Sequence, residues 1–380
     1  AFAAFDRSDA IAADFGLTQT QVLSPTLRSY ELQASGDVAT SFAVLREVEG
    51  RVDLDRNMDS AQYHLSGTLL NLVTMDGPAA ARHARLGMEA ANRVGSPFFR
   101  SHWMWFCAGG LAINDEWDEA SAWLDTCWEE SVGTYCERHL SGILCIRAYI
   151  ALRRGEPDEV ARYIVAMLEH AKRDDTSTFI RMTLGIKDPV LRFAFERRID
   201  RPYVVELIQR LRVPPGPGAG EDWPFALHIY ALGGFRVVRL GQPLQVGRRE
   251  PRKPLQLLRA IIALGGERVQ LSTLQDALWP DQDGDAAKAA CDVALHRLRK
   301  LLGSADLIRQ GGGTVSIDRS LVWVDAWALL EASSETSRRA RDPRLAGEFL
   351  PDDSDAPWSA AMRERVRRKQ SDLGLRQGKA

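Results

Sequence analysis

The sequence predicts a mainly α chain: a helical solenoid followed by a smaller α+β domain. Three observations carry this. Short polar breaks recur about every 40 residues through the first half, a spacing that marks stacked helical hairpins. A Pro/Gly stretch, PPGPGAG at 214–220, then interrupts the chain; it can join neither a helix nor a ladder and reads as a linker. Beyond it, alternating apolar runs of strand type surround three helical segments.

Length and charge set the outer bounds. At 380 residues the chain can hold two or three domains with real cores. Its 49 basic and 51 acidic residues leave a net charge of −2, so the whole chain is no polyanion binder. The distribution is uneven: residues 225–325 carry 14 Lys plus Arg against 10 Asp plus Glu, a net of +4, leaving −6 for the remainder. A local basic footprint is what nucleic-acid binding requires. The five cysteines, Cys107, Cys127, Cys136, Cys145 and Cys291, are odd in number and read as reduced core residues. A metal on Cys127, Cys136, His139 and Cys145 is not expected, because the spacing lacks a CxxC knuckle. No signal peptide and no run of 18 apolar residues is present, so a cytoplasmic location without membrane attachment is expected. The start without Met and the charged helical ending suggest a piece of a longer protein.

In chain order, residues 1–32 are helix-prone but weakly patterned. The breaks at Gly36, Gly77, Glu116 and Gly155 lie 41, 39 and 39 residues apart, and each precedes a helical stretch whose apolar stripe needs a neighbour. Helices are expected over 100–113, 118–132, 135–154 and 158–172, the last with acids in its first turn. Trp103, Trp105, Trp117, Trp123 and Trp128 have two readings: packing between helices, or, for one or two, lining a ligand surface. Residues 175–213 continue helical. After the linker, which extends over 214–224, residues 227–246 alternate like a small antiparallel sheet with a turn at Gly241-Gln242.

Three helices and a hairpin follow. The first, 253–264, enters through Pro254 and stops at Gly265-Gly266; the second, 272–279, is capped by Ser272 and ended by Pro280. The third, 285–302, is amphipathic with a basic C-terminal half, Asp283 or Asp285 as N-cap and Gly303 as C-cap. Its outward side chains suit either a DNA recognition helix or an ordinary solvated face. Strands at 307–310 and 314–317 flank Gly311-Gly312-Gly313.

The runs LGGFRV, RKPLQLLRAIIALGGERV, LQDALWPDQDGDAAKAACDVALHRLRKLLG and LVWVDAWALLE together resemble the OmpR-type winged-helix domain carried by AfsR/DnrI-like and MalT-like bacterial transcriptional regulators. The resemblance covers 225–331. It implies a helix 285–302 in the major groove of promoter DNA and a glycine wing, 309–314, on the backbone or minor groove. The residues it would place on DNA are Lys288, Ala289, Asp292, Val293, His296, Arg297, Arg299, Lys300, Arg309 and Thr314, with Arg297 and Arg299 the foremost candidates for guanine or phosphate. The acid-rich loop 281–285 departs from a DNA-facing surface, and in the family the corresponding loop is available to RNA polymerase. Residues 32–175 resemble tetratricopeptide-like (TPR-like) repeats of the MalT type, with 175–213 as their closing cap. The whole of 1–213 then reads as a sensor or interaction domain for a small-molecule or protein effector. Residues 332–380, with FLPDD and a following Trp and RER, resemble the truncated start of the helical activation domain of AfsR-like proteins. Tandem binding as a homo-oligomer on DNA is the family's habit.

An enzyme is not expected and no cofactor is implied: the chain holds no GxxxxGK[ST], HExxH or GxSxG motif, and its seven histidines are scattered. The alternative function, from a different class, is a protein-interaction scaffold whose winged helix docks protein instead of DNA.

Overall fold

A computed structural model describes residues 2–34, 37–173, 175–244, 252–332 and 343–375. They form two compact units that divide after Val213. The expected break at Gly36 and the last residues of the 227–246 run lie outside the described residues.

The first unit is helical: α1 (Phe2–Asp14), α2 (Thr18–Ala34), α3 (Val38–Glu49), α4 (Asn57–Thr74), α5 (Gly77–Val94), α6 (Pro97–Ile113), α7 (Trp117–Ser131), α8 (Leu140–Arg154), α9 (Pro157–Arg173), α10 (Ser177–Met182), α11 (Lys187–Glu196) and α12 (Arg201–Leu211). Helices begin at 38, 77, 117 and 157, so the period read from the sequence marks helix starts. Asp37, Asp76 and Ser96 cap α3, α5 and α6 by accepting from backbone N–H groups. The Ser96 cap starts α6 three residues before the expected 100, and a 3₁₀ turn, Tyr135–His139, replaces the first residues of the expected 135–154 helix.

Two kinds of helix alternate. From α2 to α9 each packs on the next, and α2, α4, α6 and α8 also pack on one another in succession, the contact pattern of hairpins stacked in a row. The shared layer is buried almost all round: α4 is buried without a break from Tyr63 to Leu72. On α9, by contrast, only Val160, Ile164, Met167, Leu168 and Ala171 are buried, a single stripe. Close approach needs small residues. A Cβ on Gly142 would stand 2.6 Å from the Trp105 ring, and one on Gly110 would stand 3.1 Å from the Ala80 carbonyl oxygen. Downstream, Leu184–Ile186 packs back on α4 and α11 packs on α8.

Three of the five tryptophans take part in this packing. Trp105 is fully buried and stacks on Phe106 at 3.8 Å between centroids. Trp117 and Trp128 lie half-buried under Arg154 and Arg147 of α8, at 5.9 and 4.9 Å. Two histidine pairs tie neighbouring segments: His64 Nδ1 to His83 Nδ1 at 3.1 Å, and His102 Nδ1 to His139 Nε2 at 3.2 Å. One neutral ring donates and the other accepts. Burial holds all four below the usual histidine range, aided by Arg82 and His64 around His83 and by His102 and Arg138 around His139; His83 and His139 are brought down to about 4.

The second unit holds β1 (Leu227–Tyr230), β2 (Arg236–Arg239), β3 (Gln242–Pro243), α13 (Arg252–Ala263), β4 (Val269–Gln270), α14 (Leu271–Leu278), α15 (Gly284–Leu302), β5 (Ile308–Gly311), β6 (Thr314–Ile317), β7 (Val322–Val324), α16 (Asp325–Glu331) and α17 (Pro357–Asp372). One sheet has the order β3-β2-β1-β7, antiparallel except for β1 with β7; a second has the order β4-β6-β5. Arg239 pairs with Gln242, so the turn is Leu240-Gly241, one residue before the expected Gly241-Gln242. Gly312 and Gly313 both take positive φ, 56° and 75°, as a two-residue primed hairpin turn requires. Helix α14 begins at Leu271, directly from β4, and no side chain caps it; Ser272 lies inside the helix.

One core joins these pieces, including Leu257, Ile261, Leu274, Leu295, Leu298 and Val315. Residues 343–375 share it and do not stand apart: Phe349, Leu350, Trp358, Met362 and Val366 are buried in the same cluster. The buried Asp325 carboxylate accepts from the backbone N–H groups of Ala231 at 2.8 Å, Leu232 at 3.1 Å and Ala326 at 2.7 Å. Burial nevertheless outweighs those bonds, with Glu221 adding repulsion, and raises its pKa to about 6. Among the described residues, no helix is long and apolar enough to cross a membrane.

Two consequences can be measured. The pairs stay neutral when folded, so below the unfolded histidine pKa of about 6.5 the unfolded chain binds more protons. Stability from His83 and His139 is therefore complete above pH 6.5 and is lost as pH falls through 4, by about 1–2 kcal/mol each at pH 5; imidazole NMR titration should show both rings titrating near 4. Replacing Asp325 with Ala strands three buried N–H groups, and urea unfolding should show a loss of about 3 kcal/mol in the second unit.

Candidate nucleic-acid interface

Helix α15 is built to present one face. Asp283 caps it by accepting from the Ala286 N–H at 2.8 Å, and Gly303, at φ 81°, closes it with an N–H to the Arg299 carbonyl. Ala287, Cys291, Ala294, Leu295, Leu298 and Leu302 are buried and seat the helix on α13 and α14. Burial also pushes the Cys291 thiol up to about 11, so it stays protonated in the core. What remains outside is a continuous strip: Lys288, Ala289, Asp292, Val293, His296, Arg297 and Lys300 are all exposed.

The side chains named from the sequence separate into two groups. Lys288, Asp292, His296, Arg297 and Lys300 make no hydrogen bond or ion pair within the described residues, and all five side chains are exposed. Arg299 is half-buried; its Nε donates to the Ile308 carbonyl at 3.1 Å and its guanidinium reaches Gln310 Oε1 at 3.4 Å. It braces α15 against β5. Arg309, 72% exposed, is ion-paired with the nearly buried Asp318. Thr314 donates to the Gly311 carbonyl at 2.9 Å and closes the hairpin. Position along the sequence puts Arg297 and Arg299 in the same basic run; only their sides of the helix distinguish them.

Two further residues border the strip. Lys253, at the start of α13, donates to the Leu278 carbonyl at 2.7 Å and lies 5.3 Å over the Trp279 ring. Its exposed amine stands beside an apolar groove that also reaches Val293 and Arg297 of α15. In the sequence Lys253 is only the first residue of an expected helix, and nothing in its local context marks the groove. Arg239 lies against Gly303: a Cβ there would fall 2.2 Å from its guanidinium nitrogen. No group of three His, Cys, Asp or Glu able to hold a metal occurs among the described residues, and all five cysteines are buried and free.

An exposed, partly cationic face of α15 thus lies beside the short β5–β6 hairpin. The chain is similar to two bacterial regulatory proteins. It is 35% identical over 106 residues to "Regulatory protein AfsR" of Streptomyces coelicolor, which covers 27% of this chain and 10% of that protein. It is 31% identical over 138 residues to "Regulatory protein AfsR" of Streptomyces griseus, covering 35% of this chain and 14% of the relative. The chain thus spans about a tenth of the length of these curated relatives. No family model matches it, and no solved structure does.

The division within the basic run has a direct test. Arg299→Ala should lower the stability of the second unit by about 1–2 kcal/mol through its lost bond to a β5 carbonyl. Arg297→Ala, at an exposed position, should change it by less than about 0.5 kcal/mol; thermal melts of both variants compare the two.

Proposed function

We propose that this chain is part of a cytoplasmic, sequence-specific DNA-binding transcriptional regulator and is not an enzyme. The second unit is read as a winged helix of the OmpR type. In this reading α15 enters the major groove, and the β5–β6 hairpin lies on the backbone or in the minor groove. The observation that carries it is the outward strip of α15, where Lys288, Arg297 and Lys300 are exposed and uncommitted while the opposite side is wholly given to the core. Cations held away from internal partners are available to phosphates and base edges. The likeness to two regulatory proteins supports the same reading.

The helical unit takes the role of receiver for a protein or small-molecule signal, and RNA polymerase is the natural partner of a DNA-bound activator. Association of several copies on DNA follows from affinity: one helix and one hairpin cover a short site. The opposing reading, a scaffold whose basic helix docks protein, predicts no such dependence on polyanion.

The test is a salt titration of the whole chain on duplex DNA. The parent should give a steep negative slope of log affinity against log salt. Changing Lys288, Arg297 and Lys300 together to Ala should reduce that slope by about 2–3, since each phosphate contact contributes about 0.9. A parent that does not bind duplex at low salt rejects the DNA reading and favours the scaffold.

A further inference from the structure

One edge of the outward strip of α15 is apolar. Ala290, Val293, Ala294 and Arg297 follow the i, i+3, i+4, i+7 spacing of a single helical stripe, and this stripe lines a groove together with Trp279 and the first turn of α13. The groove encloses about 200 Å³. Its lining is apolar apart from two cations, Lys253 and Arg297, and holds no carboxylate. Val293 is 50% exposed there; among the described residues of this unit the only other large apolar side chain so exposed is Leu240.

Charge and size together say what fits. Lys253 gives one N–H to the Leu278 carbonyl and keeps two, and Arg297 meets no acid among the described residues. Two like charges lining one apolar space attract an anion, and a guanidinium fork takes a carboxylate through both of its oxygens. A hydrated inorganic anion would leave the apolar lining uncovered. Pockets for drug-sized molecules begin at about 300 Å³, so this smaller space suits a body of roughly ten heavy atoms. A peptide segment would need a longer run of pockets.

We propose that this groove binds a small organic carboxylate, an aromatic or medium-chain acid, whose apolar body covers Trp279, Ala290 and Val293 and whose charge is met by Lys253 and Arg297. The bound acid occupies Arg297 and adds negative charge to the outward face of α15. It therefore excludes a duplex from that face and lowers DNA affinity. This consequence rests on the DNA-binding reading of α15; the ligand site itself does not.

The probe is 4-fluorobenzoate, titrated into the whole chain and followed by fluorine NMR. Binding should saturate with a Kd of roughly 1 mM, ordinary for about ten heavy atoms. The uncharged 4-fluorobenzamide should bind at least about fivefold more weakly, and Lys253→Met and Arg297→Met should each weaken the acid roughly threefold to fivefold, the worth of an exposed ion pair. Arg297→Lys should recover part of that loss. Ala290→Phe, which fills the groove, should abolish binding; thermal melts check that each variant is folded, and if Ala290→Phe is not, the charge variants decide. Duplex affinity is then measured with added 4-fluorobenzoate against sodium acetate at equal ionic strength. At ten times the Kd of the acid, the apparent duplex Kd of the parent should rise about elevenfold over the acetate control. Absence of saturable binding, equal binding of the amide, or binding unmoved by both charge variants overturns the site. An acidic peptide that binds through Lys253 where the benzoate does not makes the occupant a protein segment and overturns it too, as does a dimer of the chain that Ala290→Phe dissolves. Benzoate binding that leaves duplex affinity at the acetate level overturns the exclusion. A chain that binds no duplex removes the DNA reading, while the titration still decides the groove.

Discussion

The second unit depends on one buried carboxylate. Asp325 opens α16 and holds the backbone of Ala231 and Leu232 at the end of β1, where no strand partner continues the ladder. The same two residues meet the C-terminal segment on their other side: Leu350 donates to the Ala231 carbonyl, and Leu232 bridges Phe349. Segments more than 90 residues apart are thereby fixed around one pair of oxygens. The cost is visible in the raised pKa. Desolvating a carboxylate is expensive, and three N–H groups that would otherwise be orphaned are what keep it there. Around this knot, Gln370 donates to the Leu345 and Gly347 carbonyls, and Arg363 donates to those of Phe349, Asp353 and Ser354. The last helix is thus part of the wall against which α13 and, through it, α15 are placed.

Much of this was legible in the chain. Helix α15 shifts by one residue from the expected 285–302, because its caps and its stripe are local signals. The 40-residue breaks gave the helix starts for the same reason. What the sequence hid is what depends on distant partners. Strands β4 and β7 have two and three residues, too short for alternation to register, and they exist because β6 and β1 offer ladders to them. The missed Ser272 cap follows from β4, since a strand running straight into a helix leaves no room for a capping loop. For residues 332–380 the sequence offers only a resemblance to the start of an activation domain; which core residues 343–375 pack into depends on distant partners and shows only in their burial.

The candidate site was legible as a list and not as a division of labour. Ten residues on α15 and the hairpin could be named from the family resemblance, yet Arg297 and Arg299 differ by two positions and 200° of helix, enough to send one outward and the other onto a β5 carbonyl. Lys253 contributes only because the start of α13 happens to face the outer side of α15. In the helical unit the same limit applies to the tryptophans: Trp105 is core and Trp117 and Trp128 are roofed by arginines, an outcome fixed by which helix lies next door.

The pairing of Arg309 with Asp318 gives the hairpin a different character from the helix beside it. A phosphate arriving at Arg309 would displace a carboxylate that already neutralises it, exchanging one anion for another and releasing few mobile ions. With Gly312 and Gly313 at its tip, the hairpin brings almost no side-chain bulk and little net charge to a duplex. If α15 binds a duplex as proposed, the hairpin would serve as a fixed edge that sets the angle of the helix, and the longer-range attraction, with its response to ionic strength, would come mainly from the cations of α15.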